Sequence, residues 1–331
     1  MMKIVITAAM LAAATASVAQ AQDKITFGTD WKAQAEHGGF YQALATGLYK
    51  SRGIDVTIRQ GGPQINESQL LAAGRIDFSM GPTSFIPLNF VRENIPVVAV
   101  AAMFQKDPQV LIAHAEAGYK SLADMKGKPV MIGADTRVGS WLFLKSKFGF
   151  TDDQIRPYAF SVAPFLSNKE AIQQGYVTSE PYTMQKTGAK PAVFLLADAG
   201  YASYAAVIQT QKKLVDANPS LVQRFVDASI EGWYGYLYGD PSPANALIKK
   251  DNVDMTDDLI SYGMAKMKEY GLVDSGDALT QGIGAMTEAR WREFADTMIK
   301  AGVYPPDLDV SKAYTLQFVN KAHGMSLKRK N

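Results

Sequence analysis

The sequence contains no cysteine. That excludes disulfide staples, thiolate nucleophiles and cysteine-ligated metals, so the core must hold the fold without covalent help. Histidine is scarce, with three residues, His37, His114 and His323. No Ser/His/Asp order, metal-ligand spacing or paired carboxylate demands chemistry, so no cofactor is expected. An excess of one charge is also missing, with 34 Lys and Arg against 32 Asp and Glu. No basic stripe interleaved with aromatics is present, and nucleic acid is not an expected partner. The basic tail Lys328-Arg329-Lys330 reads as a solvated end. The apolar run Ile4–Val18 is Ala-rich and too short for a stable membrane span. Repeats at solenoid period and low-complexity tracts are absent.

What is present begins with Met1–Ala21, which carries Lys3, that apolar run and the A-x-A cleavage pattern Ala19-Gln20-Ala21. The expectation is a cleaved secretory signal. With no cysteine at the cleavage site, release into a periplasm without a lipid anchor follows.

Strand and helix patterns then alternate. Lys24–Gly28 reads as a strand, Gly39–Ser51 as a helix and Ile54–Arg59 as a strand ending in Gly61-Gly62-Pro63. Ile65–Ala73 reads as a helix, Ile76–Met80 as a strand, Phe85–Glu93 as a helix and Val97–Met103 as a buried strand. A second series follows, with strands at Val110–Ala113, Pro129–Gly133, Tyr158–Phe160, Tyr176–Thr178, Val193–Leu196 and Tyr204–Gln209. Gly139–Phe148 and Asn168–Gln174 read as its helices. Beyond Lys212 five segments look helical: Pro219–Tyr238, Ala244–Lys249, Asp257–Tyr270, Glu288–Ala301 and Val310–Ala322.

The strand–helix alternation implies an α/β fold with parallel sheets. Two such series predict two lobes, residues 22–111 with 205–331 and residues 112–204, the late helices packing on the first. The chain would cross between lobes at strand-like segments near Gln109–His114 and Ser203–Gln209, a pair of crossings that makes a hinge. Ligands in open α/β sheets sit outside the carboxyl ends of the strands, which here face the cleft.

The segments Asp30-Trp31, His37-Gly38-Gly39-Phe40-Tyr41, Gly47-Leu48-Tyr49 and Gly53-Ile54-Asp55-Val56 carry a resemblance. Leu71-x-x-Gly74-x-Ile76-Asp77 and Leu122-x-x-Met125-Lys126-Gly127-Lys128 add to it. The chain resembles the periplasmic substrate-binding proteins of ABC importers, type II, in the NMT1/THI5-like branch. The resemblance runs from about Lys24 to Phe318. It implies a monomer that captures a small solute between its lobes and delivers it to an ABC permease and ATPase. The implied solute is a thiamine-precursor pyrimidine or a related heteroaromatic. The same outline also serves nitrate, sulfonate, taurine and riboflavin binders. The family's enzymatic member, a pyrimidine synthase, carries a cysteine-rich motif that is missing here, so capture rather than synthesis is implied.

Candidate contacts follow from residue chemistry at strand ends. Trp31 can stack on a flat ring, and Asp30 either accepts from an exocyclic amine or caps its loop. His37 with Gly38 opens the first helix, where exposed N–H groups suit an anion or carbonyl. Thr83 and Ser84 offer hydroxyls that either cap a helix or meet a ligand. Thr136 and Arg137 lie in a strand-to-helix loop; Arg137 either pairs with an anion or is a surface residue. Glu180 flanked by Tyr176 and Tyr182 suits an aminopyrimidine, and Tyr201 or Tyr204 would close the cleft. The cluster Trp233, Tyr234, Tyr236 and Tyr238 runs around a helix and reads as packing.

Overall fold

The computed structural model describes residues 22–330 apart from 63–64, 138 and 159–160. The signal-peptide reading of Met1–Ala21 lies outside the described residues. Among the described residues ten strands form two sheets of five. In chain order they are β1 (Asp23–Gly28), β2 (Ile54–Arg59), β3 (Phe78–Thr83), β4 (Val97–Phe104) and β5 (Gln109–His114). They continue with β6 (Val130–Ile132), β7 (Ile155–Pro157), β8 (Ile172–Tyr176), β9 (Pro191–Leu195) and β10 (Ala205–Gln211). The first sheet runs β2-β1-β3-β10-β4 and the second β7-β6-β8-β5-β9. This is a two-lobed α/β fold of mixed sheets.

The expectation of parallel sheets needs correction. β1 is parallel to β2 and β3, but β10 is antiparallel to β3 and β4. Likewise β6 is parallel to β7 and β8, while β5 is antiparallel to β8 and β9. In each sheet the antiparallel strand is the one that arrives from the other lobe. β4 ends at the cleft, and a link of residues 105–108 is too short to carry the chain to the far side before β5 begins. The arriving strand must therefore start at the cleft and run against its neighbours. β10 repeats this after residues 196–204.

The crossings are thus loops, not strands, and β5 lies whole in the second sheet. Arg290, on the helix Glu288–Lys300, holds both of them. Its guanidinium donates to Gln105 O and to Gln105 Oε1 in one crossing, and to Ala202 O at 3.3 Å and Ser203 O at 3.4 Å in the other. It also lies 4.1 Å from the centre of the Tyr204 ring.

The late helices pack on the first sheet. The helix Pro219–Tyr238, capped by the Asn218 side chain, crosses the helix Gly38–Ala45 at close range. A Cβ on Gly38 would lie 2.0 Å from the Tyr236 ring, and one on Gly39 2.2 Å from Trp233. Trp233, Tyr234 and Tyr236 are buried, as the packing reading requires.

Several element readings fall short. The helix read over Gly39–Ser51 is two pieces, Gly38–Ala45 and Leu48–Ser51, broken at Gly47, whose φ is 74°. Asn168–Gln174 is not helical: Ala163–Ser167 is the helix, and β8 begins at Ile172. The strand read at Tyr158–Phe160 lies at Ile155–Pro157, and residues 159–160 are outside the described residues. The proposed helix Val310–Ala322 is only a 3-10 turn at Val310–Lys312. Beyond it, Thr315 N donates to Ala99 O while Ala99 N donates to Ala313 O. The backbone there is recruited to the edge strand β4, whose unpaired groups it satisfies.

Candidate functional site

The carboxyl ends of β1 and β3 face those of β6 and β8 across a cavity of about 660 Å³. From the first lobe come Asp30, Trp31 and Gln34 after β1 and Met80–Thr83 at the end of β3. From the second come Gln109, Thr136, Ser140, Tyr158, Tyr176, Ser179 and Glu180. The cavity also runs between the helices Glu67–Ala72 and Phe85–Arg92, with Glu67, Ala72, Ile86 and Phe90 along it.

Glu180 is the best-positioned acid. It opens the helix Glu180–Lys186, with Pro181 next, rather than ending a strand. Its Oε2 accepts from Tyr176 N at 2.8 Å and Ser179 Oγ at 2.6 Å, and its Oε1 from Tyr158 Oη at 3.3 Å. These donors fix the carboxylate on the cleft wall and leave acceptor capacity toward a ligand. Asp30 is held from behind: His37 Nε2 lies 3.0 Å from its Oδ1. In the second lobe Ser140 Oγ donates to Gln109 Oε1, and Gly133 N donates to Gln174 Oε1 at 2.6 Å.

The sequence-derived candidates divide into two groups. Asp30, Trp31, Thr83, Thr136, Tyr176 and Glu180 line the cavity. The other six do not. His37 is buried behind Asp30, and Gly38 is closed off by Tyr236. The close approach permitted by Gly38 and Gly39 serves helix packing, not a ligand. Ser84 is buried and tied to the return crossing, its Oγ accepting from Tyr204 N at 2.9 Å. Arg137 is exposed and is not among the described residues that line the cavity, though Thr136 beside it is. Tyr182 turns to the first lobe, its ring 5.1 Å from Tyr262 and its hydroxyl 3.4 Å from Asp258 Oδ2. Tyr201 is buried in the core beside Phe85, Phe143 and Phe294, and burial pushes its hydroxyl pKa well up. Tyr204 is buried too, so neither closes the cleft.

Sequence reasoning missed Glu67, Tyr158, Gln109 and Gln174. Only Glu67 had a signal, as the residue after Asn66, whose side chain caps its helix through Gln69 N at 3.0 Å. Burial, reinforced by Asp30 and opposed by Arg59, pushes the Glu67 carboxyl up to about 7. Asp107, in the first crossing, is fully buried and pushed up to about 8 by that burial.

Residues 34–244 match the family described as NMT1/THI5 like. The chain belongs to the NMT1/THI5-like family. A member-level likeness extends further: a riboflavin-binding protein, RibY, from Chloroflexus aurantiacus is 21% identical over 302 residues, covering 89% of this chain and 86% of that one. Among solved structures, the periplasmic aliphatic sulphonate binding protein SsuA from Escherichia coli aligns with a TM-score of 0.65 at 15% identity, over 88% of this chain and 91% of that chain. The desulfurization enzyme DszB aligns with a TM-score of 0.60 at 14% identity, over 92% of this chain and all of that chain. At these identities the structural neighbours show the fold of this NMT1/THI5-like chain, which hosts both binders and an enzyme. No helix among the described residues is long and apolar enough to cross a membrane.

Proposed function

We propose that this chain is the periplasmic solute-binding component of an ABC importer, and that its solute is a small nitrogen heteroaromatic. One observation carries the choice of solute. The cavity wall bears Asp30, Glu67, Glu93 and Glu180, and none of its described residues is Lys, Arg or His. Glu93 is exposed and paired with Arg92 at 3.0 Å, so Asp30, Glu67 and Glu180 set the field, and carboxylates facing a cavity without cations attract N–H donors and cationic edges and repel anions. Glu180 would accept from an exocyclic amine or ring N–H while Trp31 and Tyr176 offer ring faces. The overall likeness to a riboflavin-binding protein agrees with a ring-shaped solute.

The rival reading is capture of a sulfonate, taurine, nitrate or aromatic carboxylate. Its support is the helix Ser140–Phe148, whose first residue faces the cavity, and the fold shared with SsuA. Its intended cation, Arg137, is not among the described residues of the wall. The cysteine motif that the resemblance implies for the related synthase has no counterpart here, which supports delivery over catalysis.

A thermal-shift panel tests the reading, because a ligand that binds the native state raises its midpoint. Aminopyrimidines, thiamine and riboflavin are set against taurine, alkanesulfonates and nitrate. We expect a shift with a heteroaromatic, and a loss of about tenfold or more in its affinity in Glu180→Ala. A shift with anions alone overturns the heteroaromatic reading.

A further inference from the structure

The cavity has a second arm that a single ring in the interlobe cleft would not fill. Its floor is β3, with Ser79–Thr83 on the wall, and β10 is the neighbouring strand with no residue on that wall. Side chains alternate along β3: Phe78 turns to the main core, where it stacks 4.1 Å from Phe225, so Ser79 and Gly81 turn to the other face. That face lies under the helices Glu67–Ala72 and Phe85–Arg92, whose Ala72, Ile86 and Phe90 make apolar walls.

Two buried polar side chains lack partners here: Glu67, on the arm's wall, and Gln209, which is not a wall residue but lies on the sheet face shared by the wall residues Ser79 and Gly81. Glu67 is 8% exposed, and neither of its carboxyl oxygens has a hydrogen-bond partner among the described residues. Gln209 is fully buried, and both its amide oxygen and its amide nitrogen are likewise unpartnered. Gln209 pairs across the sheet with Ser79 and so shares the face of the arm. Its amide occupies the space above Gly81, where a Cβ would lie 1.6 Å from its nitrogen. Its register against β3 is unshifted, so plain alternation puts it on the face of Ser79 and Gly81, while the extra residue of the nearby bulge, Val100, lies on β4. Buried polar groups are ordinarily satisfied, and two orphans at one cavity arm mark a place where partners arrive from outside the chain.

We propose that the arm is a second subsite, in which Glu67 and Gln209 bind a substituent of the solute that carries N–H or O–H donors while the ring stays in the interlobe cleft. This rests on the heteroaromatic reading and narrows it to rings bearing a donor-rich side chain. Glu67 accepts two hydrogen bonds from the substituent, and Gln209 supplies one acceptor and one donor. The apolar walls exclude water, so an analogue without the substituent leaves these groups unpaired and is discriminated against. The raised pKa of Glu67 suits either role, since its protonated form donates as well.

The test uses two ligand pairs that differ only in the substituent. Riboflavin is compared with lumichrome, and 4-amino-5-hydroxymethyl-2-methylpyrimidine with its 5-methyl analogue. Dissociation constants are measured by calorimetry for the unmodified protein, Glu67→Gln and Gln209→Leu, with thermal midpoints to show that each variant folds. In at least one pair we expect the substituted compound to bind about tenfold or more tightly, and this advantage to fall below about threefold in both variants while the bare ring binds as before. If a ring binds but its substituent gives no advantage, or the variants weaken both members of a pair equally, the subsite is overturned and the heteroaromatic reading stands. If neither pair binds, the heteroaromatic reading falls and the subsite with it.

Discussion

Two glutamates on the same cavity wall differ in what surrounds them. Glu180 accepts three hydrogen bonds from its neighbours, whereas Glu67 has none among the described residues. Burial raises Glu67 from 4.5 to about 7 and Asp107 from 3.8 to about 8. An unfolded chain releases both protons near the lower values, so between those and the raised ones the native state holds more protons than the unfolded state. Stability must then fall as pH rises through that window. The expected outcome is a urea midpoint whose decline from pH 5 to pH 8 is smaller in Glu67→Gln and Asp107→Asn than in the unmodified protein. The Glu67 share should end near pH 7 and the Asp107 share near pH 8. Variants with the unmodified slope would show that neither acid holds its proton. At this scale the sequence was legible where a chemically apt residue sits at a strand end, as Asp30, Trp31 and Glu180 do. It was not legible for Gln209, whose place beside Gly81 depends on the antiparallel pairing of β10 with β3, nor for Tyr201, whose burial depends on Phe294 far along the chain.

Elements were readable where one hydrophobic pattern ran long enough to override local ambiguity. Ile54–Arg59 and Pro219–Tyr238 have their read bounds, because alternation marks the first and an Asn cap followed by Pro marks the second. Short elements near β8 were misread because a few apolar residues fit either period. Val310–Ala322 was misread because an edge strand, not local propensity, decides its backbone. Gly38 was read for a ligand and, with Gly39, belongs to a helix crossing. That assignment has a direct consequence. A Cβ on Gly39 would meet the buried Trp233 ring at 2.2 Å, and neither backbone nor indole has room to yield. Gly39→Ala should therefore destabilise the fold by about 1–3 kcal/mol, the usual cost of overpacking a core. Urea unfolding checks this, through a lowered midpoint with an unchanged slope. An unchanged midpoint would mean that the two helices are not packed at this distance.

In the whole molecule, the lobes are joined at one side by the Arg290-held crossings and meet again at the other side of the cavity. There the Thr178 hydroxyl, just beyond β8, donates to Glu36, which precedes the first helix. Gly263, on the helix Asp257–Glu269, lets that helix press against both segments; a Cβ there would lie 2.8 Å from Ala35 Cβ and 3.2 Å from Thr178 O. Glu36 is 3% exposed, and burial raises its pKa while the Thr178 hydroxyl lowers it. If the lobes part to admit a solute, this hydrogen bond breaks and Glu36 meets water instead. Only an interaction that differs between two arrangements can shift their balance, and on lobe opening this one would differ. Thr178→Val keeps the volume and removes the donor, leaving a buried acid unsatisfied in the closed form alone. The expected cost of about 1–3 kcal/mol falls on closure, so solute affinity should drop by about tenfold or more. If the contact forms only once the solute is enclosed, the loss appears mainly as faster release. Stopped-flow tryptophan fluorescence measures both rates. An affinity within about twofold of the unmodified protein would mean that the two arrangements do not differ in this contact.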